Sequence, residues 1–217
     1  MEIIFDLDGT LTDPGIGITR CIQHALTVLG RRAPASEELE RFVGPPLRGS
    51  FAALLGTDEA ELITQAIAHY RERFEACGMF ENAVYPGIPA ALEQLRRGGH
   101  RLWVATSKPQ PYASRILEHF GLARHFERIH GSELSGRNSD KGELLQMVLV
   151  QEHLDPADAY MVGDRAQDVV GARENGVGSV AVLWGYGSEE ELAAAAPDRM
   201  VRSTAELCGW ASCPTTG

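Results

Sequence analysis

Two carboxylates, Asp6 and Asp8, stand one residue apart behind the apolar run Ile3-Ile4-Phe5, in the stretch IIFDLDGTLTD (residues 3–13). A strand alternates its faces with a period of two. If it runs on through Leu7, both carboxylates point the same way. Like charges at one strand end repel, and burial sharpens the repulsion. A strand ending in D-x-D-G-T has no ordinary structural explanation, because it gathers charge where a core strand should be apolar. The stretch therefore predicts a counter-charge and a chemical use for it.

Three further stretches carry side chains suited to the same site. ATSK ends with Thr106, Ser107 and Lys108; NSDKGE carries Lys141; GDRAQD carries Asp164 and Asp168. Each has a plain structural reading when taken alone. ATSK can be a loop with helix capping, Asp168 a helix cap, and Lys141 a solvated side chain. Asp13, before Pro14, reads as a turn residue. DKGE fits a capping box, with Asp140 as N-cap and Glu143 at N3. That sets Lys141 at the first helical position, where the helix dipole disfavours a cation unless an anion lies within its reach.

The elements that must position these residues follow from hydrophobic patterning. Residues 2–7, 101–107, 126–132, 159–164 and 178–184 read as strands. Residues 109–120, 140–153 and 166–175 read as helices, the first starting at a proline and stopping before Gly121. This alternation predicts an α/β fold: a Rossmann-like parallel sheet with helices on both faces. Ligands then bind at the carboxyl ends of the strands. Asp6, Asp8, Thr106, Ser107, Asp164 and, at the helix starts beyond, Lys141 and Asp168 gather on that edge. Four carboxylates of hard oxygen, with no histidine or cysteine beside them, suit Mg²⁺ rather than zinc.

One region breaks the rhythm. Between Pro14 and Tyr85 only helical patterns appear, among them Ile18, Ile22, Ala25, Leu26 and Leu29 at helical spacing and a long amphipathic stretch over 58–78. This region, 14–85, reads as an all-helical insertion into a core made of 1–13 and 86–217. DPG (13–15) and YPGIP (85–89) read as its hinges. After Arg202 one short helical piece precedes a polar end, CPTTG, expected to fray.

Bulk properties narrow the function classes. A formal net charge of −10 argues against a nucleic-acid backbone reader. It also requires local positive groups wherever an anionic substrate is captured. No stretch approaches the roughly twenty apolar residues of a membrane span. The start has no basic region and too short an apolar run for a leader, which predicts a cytoplasmic protein. The four cysteines form no C-x-x-C pair, and the seven histidines show no metal-binding spacing. Neither a phosphate-binding P-loop, a nucleophile elbow nor a dinucleotide fingerprint occurs.

DLDGTLTD, VATSK, SDK and VGDRAQD, in that order, resemble the four motifs of the haloacid dehalogenase superfamily. The likeness is to its phosphoglycolate phosphatase-like branch, in which a helical cap is inserted after the first motif. The resemblance implies a Mg²⁺-dependent phosphatase for a small phosphorylated metabolite, working as a monomer or homodimer. It implies Asp6 as the nucleophile that forms an aspartyl phosphate and Asp8 as general acid, then base. Thr106 and Lys141 would hold the phosphoryl oxygens, with the Ser107 backbone nearby. Metal would be bound by the Asp6 side chain, the Asp8 carbonyl and Asp164, with Asp168 as a further ligand or support. An acid at position 8 favours phosphate-ester chemistry over the dehalogenase and phosphonatase branches. The loop FVGPPLRGSF (42–51), with Arg48, is the candidate for substrate choice. Arg165 stands where serine is commoner and is expected to face solvent. Relatives sharing GPPL and WGYG (184–187) act on phosphoglycolate or on nucleoside monophosphates, so a 5'-nucleotidase is an open alternative. So are a sugar phosphomutase and, outside enzymes, a phospho-receiver-like module.

Overall fold

The computed structural model describes residues 1–212; the polar end at 213–217 lies outside the described residues. The chain divides into two compact units, one of Met1–Thr12 with the chain from Val84 onward, the other Asp13–Ala83. In order, the first half holds β1 (Glu2–Phe5), β2 (Thr12–Asp13), α1 (Gly15–Val28), α2 (Ser36–Leu39), α3 (Leu47–Leu55), α4 (Ala60–Ala76), β3 (Ala83–Val84) and α5 (Ile88–Arg97). Then come β4 (Arg101–Pro109), α6 (Gln110–His119), β5 (Arg128–Ser132), α7 (Lys141–Glu152), β6 (Ala159–Gly163) and α8 (Ala166–Glu174). The chain closes with β7 (Gly178–Val182), α9 (Glu189–Ala195), β8 (Arg199–Val201) and α10 (Thr204–Ser212).

Six strands form one parallel sheet in the order β5-β4-β1-β6-β7-β8. The order reverses between β1 and β6, so the loops leaving these two strands diverge and open a crevice at their carboxyl ends. Both faces of the sheet are covered, which is why β1 is apolar at every position from Ile3 to Phe5. On one face Ile4, Trp103, Ala105 and Met161 pack with Leu144, Leu145, Val148 and Leu149 of α7. On the other, Phe5 meets Phe126 edge to face, with ring centroids 6.1 Å apart.

β1 ends at Phe5 rather than running through Leu7. Beyond it the Leu7 carbonyl accepts from the backbone N–H groups of Thr10, Leu11 and Thr12, and this turn takes the chain out of the sheet before Asp8. The period of two therefore does not extend to Asp8. β4 runs past the expected end, to Pro109, through a register shift against β5 between Thr106 and Pro109. The edge strand β8 is three residues long, and its pattern is too short for periodicity to reveal.

The sequence pattern predicts a helical unit from Pro14 to Tyr85 with no strand. Its bounds are Asp13 and Ala83, and the two-residue strands β2 and β3 pair where the chain enters and leaves it. Asp13 is a turn residue, its Oδ1 accepting from Gly15 N–H at 3.1 Å. Within the unit, α4 buries Ile63, Ala66, Tyr70 and Phe74 at helical spacing. Tyr70 stacks on Phe74 and meets Phe51 edge to face. Glu81 accepts two hydrogen bonds from Arg73, at 2.7 and 3.1 Å, and one from Arg20 at 2.8 Å.

Candidate active site

Asp6 follows β1 directly and keeps one ladder bond, its N–H donating to the Val162 carbonyl at 2.9 Å. It has the parity of Ile4, so it belongs to the face covered by α7. That helix starts at Lys141, behind an Asp140 cap whose Oδ1 accepts from Glu143 N–H at 3.0 Å. The Lys141 ammonium is buried. Its Nζ lies 3.1 Å from Asp6 Oδ1 and 2.9 Å from Asp168 Oδ1, and it donates to the Ala105 carbonyl at 3.1 Å. Burial works against its charge, but Asp168 and Asp6 outweigh that and hold the ammonium above the ordinary lysine value.

Asp6, Asp164 and Asp168 are all buried, and one carboxylate oxygen from each lies within 4.8 Å of the others. Burial, then Asp168 and Asp6, push the Asp164 carboxyl up to about 8. Burial raises Asp168 as well, against the pull of Lys141. Asp168 divides its oxygens: Oδ2 accepts from Arg165 N–H at 3.1 Å, and Oδ1 faces Lys141. The helix-cap reading and the site reading of Asp168 are therefore both satisfied.

Asp164 is braced from two sides. Thr10 Oγ1 donates to its Oδ1 at 3.1 Å, and Tyr186 N–H donates to Oδ2 at 2.8 Å. Trp184 Nε1 donates to the Thr10 carbonyl at 3.0 Å, tying the 184–187 loop to DLDGT. Two glycines permit this approach. A Cβ on Gly9, whose φ is +83°, would fall 2.2 Å from Asp164 Oδ2. One on Gly185 would fall 2.4 Å from both Asp164 Cβ and the Gly9 carbonyl oxygen.

Asp8 has a different partner. Its Oδ2 lies 2.8 Å from the Nζ of Lys108, which is buried, while the Asp8 side chain is largely so. Burial pushes the Asp8 carboxyl above the ordinary carboxylate range, and Lys108 opposes that shift. The two carboxylates of DLD are thus held by two different lysines. Thr106 is buried beside them, its Oγ1 accepting from Lys108 N–H at 3.3 Å. The Ser107 hydroxyl is committed elsewhere, donating to the Ser139 carbonyl at 2.8 Å, and the Ser107 carbonyl accepts from Ser132 Oγ at 2.7 Å.

Sequence reasoning left Lys108 without a role. Its signal was parity: once β4 runs to Pro109, Thr106 and Lys108 fall on one face. Tyr186 was missed because its backbone, not its side chain, makes the contact. The solvent expectation for Arg165 is corrected: it is half-buried, its Nε donating to Glu191 Oε1 at 2.9 Å. Glu191 also accepts from Ala166 N–H, so Arg165 helps fix the start of α8. Arg48 is exposed in the first turn of α3, in the helical unit.

The family model for haloacid dehalogenase-like hydrolases matches residues 3–182, from the first strand to the end of β7. The chain belongs to this family. A 5'-nucleotidase of Pseudomonas aeruginosa is 48% identical, the match covering 95% of this chain and 93% of that one. The tyrosine-protein kinase PtkA of Mycobacterium tuberculosis is 43% identical over 85% of this chain, which spans 62% of PtkA's length. A crystal structure described as a predicted phosphatase, from Clostridium acetobutylicum, superposes with a TM-score of 0.91. It is 44% identical, with 96% of each chain covered. Membership in a hydrolase family sets aside the phospho-receiver alternative, and the Rossmann-like core expected of the family is the one observed. No helix among the described residues is long and apolar enough to cross a membrane.

The donor set fits the divalent cation that such hydrolases use. Three buried carboxylates lie together, only Asp6 and Asp168 of them pair with Lys141, and all the donors are hard oxygens. With all four carboxylates ionised, Asp6, Asp8, Asp164 and Asp168 against Lys108 and Lys141 leave two negative charges, which one divalent cation balances.

Proposed function

We propose that this protein is a Mg²⁺-dependent phosphomonoesterase that works through an aspartyl phosphate on Asp6. The observation that carries this reading is the separation of the DLD carboxylates. Asp6 lies with Asp164, Asp168 and Lys141, while Asp8 is drawn off by Lys108. Two carboxylates in different settings can take different roles.

An Asp6 oxygen attacks phosphorus, the ester P–O bond breaks, and the leaving oxygen takes a proton from Asp8. Asp8, now a carboxylate, removes a proton from water as that water attacks the phosphoryl group. The bond to Asp6 breaks, and inorganic phosphate leaves. Lys141 and Thr106 hold the non-bridging oxygens, with the Ser107 N–H. Asp6, the Asp8 carbonyl, Asp164 and Asp168 would hold Mg²⁺, which supplies charge stabilisation to the same oxygens. We assign substrate choice to the helical unit, with Arg48 as its anion-binding candidate.

The relative named a 5'-nucleotidase, nearly half identical along almost the whole of both chains, puts nucleoside monophosphates first among substrates. Phosphoglycolate and sugar phosphates follow. A phosphate-release panel over these three classes, with Mg²⁺ and with chelator, tests the reading. Release from at least one monoester, abolished by chelator and restored by Mg²⁺, is expected. Undiminished release in chelator, or none from any monoester, sinks it. A sugar phosphate that is isomerised rather than hydrolysed identifies a phosphomutase.

A further inference from the structure

We propose that Lys108 is a positioning residue that keeps Asp8 out of the metal-binding carboxylate cluster and aims it at the leaving group; this rests on the phosphatase reading above. The geometry begins with β4. β1 pairs with it only as far as Phe5 against Val104, yet β4 continues to Pro109 with β5 alone as its neighbour. The register shift between Thr106 and Pro109 lies on either side of Lys108, whose ammonium reaches Asp8 Oδ2 at 2.8 Å.

Burying an ion pair of this kind contributes little net stability, because desolvation of both groups offsets their attraction. Its consequence here is geometric. Asp8 stands two residues from Asp6, and its buried Oδ1 has no hydrogen-bond partner. Without Lys108 the strongest cation in reach of Asp8 would be the one bound by Asp6, Asp164 and Asp168. Lys141 is already shared between Asp6 and Asp168. A second lysine is what lets one carboxylate of the pair remain a proton carrier while the other joins the cluster.

A proton carrier matters in proportion to the basicity of the leaving oxygen. An alkoxide leaving from a nucleotide needs the proton, whereas p-nitrophenolate leaves without it. The test measures kcat/KM for a nucleoside 5'-monophosphate and for p-nitrophenyl phosphate. It uses wild type, Lys108→Met and Lys108→Arg, and repeats Lys108→Met in an Asp8→Asn background, where no orphaned carboxylate is left to oppose folding. Lys108→Met is expected to lower kcat/KM about 100-fold for the nucleotide and less than about tenfold for the aryl ester. Lys108→Arg should restore most of the loss. In the Asp8→Asn background, Lys108→Met should change either value by no more than about twofold. Titration with Mg²⁺ adds a readout independent of turnover. Lys108→Met should tighten binding when Asp8 is present and not in the Asp8→Asn background.

Equal losses for the two esters, or the same loss with and without Asp8, would overturn the proposal and make Lys108 a phosphoryl-binding group. A wild-type protein that releases phosphate from neither ester, nor from phosphoglycolate or a sugar phosphate, sinks the phosphatase reading instead, and the Mg²⁺ titration then decides Lys108 alone.

Discussion

Two networks of charge among the described residues are built in opposite ways. In the helical unit Glu81 is bracketed by Arg73 and Arg20, so one carboxylate meets two guanidinium groups. Hydrogen bonds from Arg73 hold its carboxyl below the ordinary carboxylate range. At the carboxyl end of the sheet, three carboxylates lie together, Asp6 and Asp168 share Lys141, and Asp164 is pushed up to about 8. The first network satisfies itself and stabilises the folded chain. The second is short of positive charge, and folding has to hold it together against repulsion. An excess of acid that the protein does not neutralise marks a place where a ligand is meant to do so.

The sharpest way to break the contrast is Asp6→Asn. It removes the proposed nucleophile, so kcat/KM should fall at least ~10³-fold, as when other covalent nucleophiles are removed. The fold should survive, because one source of repulsion goes with it. Near-normal phosphate release by this variant would remove Asp6 from its role.

Asp164→Asn probes the repulsion itself. The Asp164 carboxyl titrates near 8 in the folded protein, against an ordinary value of 3.8. The folded state therefore keeps a proton that the unfolded chain releases. Stability of the metal-free protein should fall as pH rises through that window. In chelator, Asp164→Asn should raise Tm at pH 8, with the gain shrinking toward pH 4. Adding Mg²⁺ should raise Tm of the wild type and not of the variant. A variant less stable than wild type in chelator at pH 8 would contradict the assigned strain.

Glu81→Gln probes the satisfied network and should show the opposite pH dependence. Loss of the charged acceptor leaves Arg73 and Arg20 without their shared partner, a cost of about 1–3 kcal/mol. Because the folded carboxyl lies below its ordinary value of 4.5, that stability is present above the unfolded pKa and disappears as pH falls through the folded one. Denaturant titrations of both proteins at pH 7 and pH 3 should therefore show a larger gap in the first condition than in the second. Equal gaps at both pH values would show that Glu81 contributes by packing rather than by charge.

Much of this was legible in the chain itself. Apolar runs alternating with helical patterns specify a parallel sheet, because such strands must be buried on both faces. DLDGT announces its site, since no core strand ends in charge without a use. DKGE locates Lys141, because the Asp140 cap fixes where α7 starts. What patterning could not supply was direction. Strand parity suggested one heading for Asp6 and Asp8, but the turn at Leu7 gave them separate lysines. Whether Arg165 meets Glu191, whether Lys108 reaches Asp8, and whether the 184–187 backbone braces Asp164 depend on residues 26, 100 and 22 positions apart. Local sequence sets period and capping, because these are interactions within a turn or two of chain. Only the packed sheet decides which distant charge fills a given vacancy, and it is that choice which separates a nucleophile from an acid two residues away.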